Sequence, residues 1–456
     1  MQSKCLQLMF LAIVGGVVLL ASSVGMHAQN TSFQEGWNAA MYSSSTQSPS
    51  FAFVDGVGYV NDGRCTVGCD ICQIITYALH DYNPNNSNGV IIDTRGISSL
   101  ACTLADGNPW SGLTSGGMSN TVLLPSGTVT IAVPWVLPDD THLIGEGPNS
   151  TTIQPTYSGG DIIDMGSESP TVGFACFSSI QDCPGIVVEH LALNGNGNTG
   201  VNGIVNCCAQ EFSGVNDVKI VGVNVGLALT DKYAQNSGPY TNITMSGVSQ
   251  CVTIEPGTNG TISITRGVHG LTCSTTGTAG SAIEVDTSNN SLEDIYISGG
   301  SGQDGVLIGS NAATDSNVLL NISGSGLGNV VHISSANSSS DISILGVSRS
   351  GGTSTIYDQL AGTTLTDTKL GMYILGEPVQ AGTINSAGYS RFTTSISSNT
   401  QTWLVGPSAP IGSTCRAGDL YSCTGSSSAC TNSASLKGVV WECLGGGTTW
   451  VPIGTY

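Results

Sequence analysis

Ile295-Tyr-Ile-Ser-Gly299 and, 25 residues on, Leu320-Asn-Ile-Ser-Gly324 are two copies of a short alternating apolar segment that ends in glycine. The same pattern stands at Leu191-Ala-Leu-Asn-Gly195, Val218-Lys-Ile-Val-Gly222, Ile243-Thr-Met-Ser-Gly247, Ile262-Ser-Ile-Thr-Arg-Gly267 and Ile342-Ser-Ile-Leu-Gly346. Successive glycines lie 27, 25, 20, 32, 25 and 22 residues apart. A second alternating segment usually follows, as at Gly226-Leu-Ala-Leu, Cys251-Val-Thr-Ile, Gly305-Val-Leu-Ile and Val330-Val-His-Ile. Two or three period-two strands per unit, parted by Gly, Ser and Asn turns, are the signature of a β-solenoid. No unit buries its apolar face alone, but stacked units bury a continuous column.

Propeller blades would repeat at about 40 residues with aromatic signatures, and leucine-rich repeats would keep a fixed Leu and Asn spacing. Neither is present, and a β-helix tolerates irregular intervals because its turns bulge outward without disturbing the ladder. The expected fold class is all-β, a right-handed, single-stranded parallel β-helix. Its coils should number about ten between Val122 and Gly376 at about 25 residues each. Aligning the glycines puts Ile220, Met245, Ile264, Ile297, Ile322 and Ile344 in one interior row.

Composition narrows the partners. The chain has 456 residues, with 31 acidic and 11 basic side chains and a formal charge of −20. Such a balance repels nucleic acid and anionic lipid, and an anionic polysaccharide would need a bridging cation such as Ca²⁺. Residues 1–28 read as a signal peptide: Lys4, the apolar run Leu8 to Leu20, then small residues to Ala28. Cys5 leaves with it, so 15 − 1 = 14 cysteines remain. An even number bound for an oxidising compartment reads as disulfides. Cys65, Cys69 and Cys72 also spell the CxxxCxxC of an iron–sulfur site, which an exported chain makes the poorer reading. Membrane insertion is not expected, because no later stretch is apolar enough to span a bilayer.

Four segments follow: 1–28 as signal, 29–117 as a cap region with disulfides, 118–377 as the β-helix, and 378–456 as a small cysteine-containing β module. In the cap region Asp70-Ile-Cys-Gln-Ile-Ile-Thr-Tyr-Ala-Leu-His80 has helical spacing with Asp70 as N-cap, a lid for the exposed end of the column. The tail carries Cys415, Cys423, Cys430 and Cys443, with Trp403, Tyr421, Trp441 and Trp450 as its aromatics.

Val122-Leu-Leu-Pro-Ser-Gly-Thr128, Val136-Leu-Pro138 and His142-Leu-Ile-Gly-Glu-Gly147 resemble the opening coil of the pectate-lyase superfamily, particularly its rhamnogalacturonase-like and epimerase-like bacterial members. The resemblance covers roughly residues 70–376 and implies a right-handed parallel β-helix with carbohydrate-directed activity. It departs at Gly63-Arg-Cys-Thr-Val-Gly-Cys-Asp70, where these proteins usually carry Gly-Asp-Gly and Asp-Asp-Thr. The polygalacturonase-like order of acidic motifs is also missing, since Gly267-Val-His-Gly270 precedes Gln303-Asp-Gly305 and no Arg-Ile-Lys exists.

Lyase chemistry needs carboxylates to hold Ca²⁺ against the substrate and a basic group to take the proton beside the substrate carboxylate. Arg266, His269, Glu284, Asp286 and Asp304 are the candidate catalytic residues, with Glu284 and Asp286 as candidate Ca²⁺ ligands. Against this stands the reading of the same side chains as a solvated polar face. His332 reads as surface, and the tail aromatics as the core of a small module before they read as sugar platforms. The expected protein is secreted or periplasmic, monomeric or trimeric, and carbohydrate-binding or carbohydrate-active, lyase-like if catalytic. The alternative is a non-catalytic surface β-helix, adhesin-like or tailspike-like.

Overall fold

The computed structural model describes residues 52–66, 68–82, 89–102, 107–112, 119–167, 183–198, 200–231, 237–256, 267–309, 317–335, 342–359, 363–366 and 368–375, together with the six tail strands. Residues 1–51 are outside it, and so is the expected signal peptide.

Two sheets wrap one apolar core. The first runs, in spatial order, through Ala52–Asp55, Val90–Asp93, Asn120–Leu123, Thr141–Ile144, Val187–Asn194, Gly214–Val221, Tyr240–Val248, Val268–Thr275, Ser291–Ser298, Asn317–Ser325 and Ile342–Ser350, every neighbour parallel. The second runs through Trp135–Leu137, Gly160–Met165, Val201–Asn206, Val225–Asp231, Gln250–Pro256, Gly280–Val285, Gln303–Ile308, Asn329–Ile333 and Ser354–Asp358, again all parallel. The chain alternates between the sheets once per coil, which is the parallel β-helix the resemblance implies. Right-twisted strands joined by parallel crossovers favour its right hand.

A bend in the first-sheet strands from Val187–Asn194 to Ile342–Ser350 explains how one strand turns a corner. His190, Asp217, Asn242, Asp294 and Asn321 all have φ between 53° and 56°, and Gly270 and Gly346 have φ of 67° and 70°. The register stacks these seven in successive coils. Left-handed backbone suits Gly and is tolerated best by Asn, Asp and His, so the residue types at the corner follow from its geometry. In the earlier coils the two halves are separate strands, such as Asn120–Leu123 followed by Gly127–Ile131.

The same corner corrects the expected interior row. The observed row is Leu193, Ile220, Met245, Cys273, Ile297 and Gly324. Ile322 stacks on Ile295 and Ile344 on Leu319. Ile264 lies outside the described residues, and the strand of that coil is Val268–Thr275. The glycines align only the coils of Gly195, Gly222 and Gly247, whereas the left-handed corner aligns all seven. It precedes the first Ile of Ile295-Tyr-Ile-Ser-Gly299 but follows Leu320 in the next copy, so those two copies are offset by two residues.

The helix Ile71–Tyr82 buries Ile71, Cys72, Ile74, Ile75, Ala78 and Leu79 against the first coils. Asp70 Oδ1 accepts from Gln73 N at 3.0 Å while Asp70 N donates to Gln73 Oε1 at 3.0 Å, a reciprocal capping box. Cys65–Cys69 and Cys72–Cys102 are disulfides, so the three cysteines of the CxxxCxxC run hold no cluster. At the other end Lys369–Leu375 and Thr363–Leu365 pair antiparallel with the last strand of each sheet and end the parallel stacking. A third sheet of six strands, from Val379–Ile384 to Trp450–Thr455, makes up the tail. The tail's aromatic side chains and disulfide pairing lie outside the described residues.

Candidate functional site

Inward positions of the second sheet are apolar, as with Ile163, Ile204, Val252, Ile283, Val306 and Val331. The positions between them form two rows along the column. One row holds Asp161, Asn202, Val225, Gln250, Ser281, Asp304, Asn329 and Ser354; beside it run Asp164, Val205, Ala228, Thr253, Glu284, Leu307, His332 and Tyr357. None of the sheet's strands contains Lys or Arg.

Side chains of adjacent coils hold one another. Asn202 Nδ2 donates to Asp161 Oδ1 at 2.8 Å, and Asn329 Nδ2 to Asp304 Oδ1 at 2.6 Å. Gln250 Nε2 donates to Glu284 Oε2 at 3.2 Å and to Ser281 Oγ at 3.4 Å. His332 Nδ1 lies 2.5 Å from Asp304 Oδ2, and its ring packs against Tyr357 with centroids 4.9 Å apart. The hydrogen bond to Asp304 raises the His332 pKa against an opposing burial effect. Its Nε2 is buried, and the Gln359 side chain beside the ring adds to the upward shift. Imidazole clamped at one nitrogen by a carboxylate is a proton-transfer device in catalytic settings.

A second cluster lies toward the N-terminal end of the same face. Burial, with the neighbouring Asp161 charge and a hydrogen bond to Asp161 adding to it, pushes the Asp164 carboxyl up to about 8. Asp164 therefore keeps its proton at neutral pH, where the two carboxyls share a hydrogen bond. They are too close to flank a glycosidic bond, since paired glycosidase carboxyls stand about 5–9.5 Å apart. Tyr157, whose hydroxyl donates to the Asp161 carbonyl, has its pKa raised by burial and by both aspartates.

The five expected site residues fall in different places. Glu284 and Asp304 share the outer face of the second sheet, one coil apart. Asp286 lies just past the strand Gly280–Val285 and is 2% exposed. His269 belongs to the first sheet, where its Nδ1 meets Glu293 Oε2 at 2.9 Å. Arg266 is outside the described residues. Glu255, opposite the end of that strand, has its pKa raised by burial and then by Glu284 and Asp286. Among the described residues no three His, Cys, Asp or Glu are grouped to hold a metal ion.

Sequence reasoning missed Asp161, Asp164 and the pairing of His332 with Asp304. The first pair lies three apart, which alternation alone puts on opposite faces, but both intervening residues, Ile162 and Ile163, are buried. The second pair joins residues 28 apart and becomes visible only once the register is known.

No family model matches the chain, and no curated protein matches it. Among solved structures it is similar to ORF18 of Geobacillus virus E2, at 10% identity and a TM-score of 0.36, over 89% of this chain and 76% of that one. Two A-modules of mannuronan C-5 epimerases of Azotobacter vinelandii also match. AlgE4 does so at 10% identity and a TM-score of 0.27, over 68% of this chain and 95% of that one. AlgE6 does so at 13% and 0.24, over 52% of this chain and 86% of that one. At these scores the matches carry no argument about activity.

Proposed function

We propose that the chain is an exported glycan-binding β-helix whose docking surface is the outer face of the second sheet. One observation carries the reading: two adjacent rows in which Asp161, Asn202, Gln250, Ser281, Glu284, Asp304, Asn329 and His332, interrupted by Val205, Val225, Ala228 and Leu307, hydrogen-bond in groups between neighbouring coils, with no Lys or Arg in the strands. Parallel strands set successive coils about 4.8 Å apart along the column, close to the rise of a pyranose in a linear chain. Carboxylates and carboxamides suit sugar hydroxyls, and the acidic balance selects an uncharged glycan over a polyuronate. The disulfides at Cys65–Cys69, Cys72–Cys102 and Cys251–Cys273 fit an oxidising compartment.

Lyase-like cleavage is the second reading, favoured by the Asp304–His332 pair, in which a carboxylate holds an imidazole on the outer face of the sheet. A panel of neutral and uronate polysaccharides, with and without Ca²⁺, tests both. Retardation of the chain in gels containing a neutral glycan is expected. Silence across the panel would end the glycan reading and favour a display or adhesive role. New reducing ends without unsaturated products would sink the lyase version.

A further inference from the structure

We propose that the disulfide between Cys207 and Cys208 is a thiol-reactive site, opened by small dithiols while the column stays folded. The two residues are sequence neighbours, so one peptide unit fixes their Cα atoms 3.8 Å apart. Disulfides usually span about 4.4–6.8 Å between Cα atoms, and departures from that range make the bond easier to reduce. The bond also does little for stability, because a cross-link constrains the unfolded chain in proportion to the loop it closes. Cys72–Cys102 closes a separation of 30 residues and Cys251–Cys273 one of 22, the latter joining adjacent coils. Those four cysteines are buried, whereas Cys207 is partly exposed.

Hydrogen bonds hold the turn without the disulfide. Asn206 Oδ1 accepts from Cys208 N at 3.1 Å and from Ala209 N at 2.8 Å, and its Nδ2 donates to Tyr240 OH at 2.7 Å. Gln210 N donates to Cys183 O at 2.9 Å. The Cys207–Cys208 pair directly follows the strand Val201–Asn206 at the rim of the second sheet, one position past the pairing of Asn206 with Met165. Attack therefore comes at Cys207, on the rim, while Cys208, 1% exposed, stays packed in the core beside it.

In the reaction a reductant thiolate attacks Cys207 Sγ, the sulfur–sulfur bond breaks, and Cys208 leaves as a thiolate that takes a proton from solvent. The second thiol of the dithiol then displaces Cys207, so the dithiol is oxidised to its cyclic disulfide and supplies both electrons.

Titration of the native chain with dithiothreitol, quenched with iodoacetamide and mapped by mass spectrometry, tests this. Cys207 and Cys208 should carry label at reductant concentrations at least about tenfold below those that label Cys72 or Cys251, with circular dichroism unchanged. Label appearing there only together with the buried bridges would overturn the proposal. A Cys207→Ser variant, which removes the bond and leaves the buried Cys208 in place, should melt with the wild type. If it fails to fold or melts clearly lower, the bond is structural and the proposal falls.

Discussion

Truncating Ile322 to Ala removes three carbons from a side chain that is 0% exposed and stacked between Ile295 and Val347. At about 0.8 kcal/mol per buried CH₂ the lost transfer energy alone is about 2.4 kcal/mol. A cavity term adds to it, because hydrogen-bonded ladders above and below keep Ile295 and Val347 from closing the gap. The expected total is about 3–4 kcal/mol, inside the range of about 2–5 kcal/mol for such truncations. Thr272→Val, on the exposed side of the same sheet, should cost less than about 0.5 kcal/mol. Urea melts followed by circular dichroism measure both. An Ile322→Ala loss below about 1 kcal/mol, or equal losses at the two sites, would refute the register anchored on the left-handed corner.

Gly203→Ala should destabilise strongly, because the added Cβ would stand 2.4 Å from the Gly226 carbonyl oxygen, and a melt indistinguishable from wild type would contradict the close stacking of those coils. His332 has a folded pKa above its ordinary 6.5, so its pairing with Asp304 stabilises below that value and the benefit fades as pH rises through the folded pKa. His332→Gln should erase that part of the stability profile, and an unchanged profile would sink the pairing. Asp164 has the opposite consequence for an acid: the folded state keeps a proton that the unfolded state gives up above about 4, so stability falls as pH rises toward about 8. Asp164→Asn should therefore match wild type near pH 4 and exceed it near pH 8, and no gain at the higher pH would show that the carboxyl ionises freely.

Much of the fold was legible because period-two alternation reports directly which side of a strand is buried. Leu191, Val218, Ile243 and Ile295 all open inward-facing runs, and the helix from Ile71 was readable from its spacing and the Asp70 cap. What alternation cannot supply is the phase between coils. That phase is carried by single left-handed residues such as Asn321 and Gly346, which look like ordinary strand polar residues or turn glycines until φ is known. The site suffered for the same reason: Glu284 and Asp304 were grouped with His269, which faces outward from the other sheet, while the true neighbour of Asp304 is His332. Contacts between residues some 28 positions apart depend on the register and not on local pattern.

The central claim is that a glycan lies along the second sheet, and charge insertion on each sheet tests it most directly. Asn202→Arg, Glu284→Arg and, on the first sheet, Thr272→Arg would each be compared with wild type for affinity toward a retained neutral glycan by gel electrophoresis. The account predicts a loss of at least about tenfold, about 1.4 kcal/mol, for both second-sheet variants and none for Thr272→Arg. Equal affinity in all three, or a loss confined to Thr272→Arg, would contradict it.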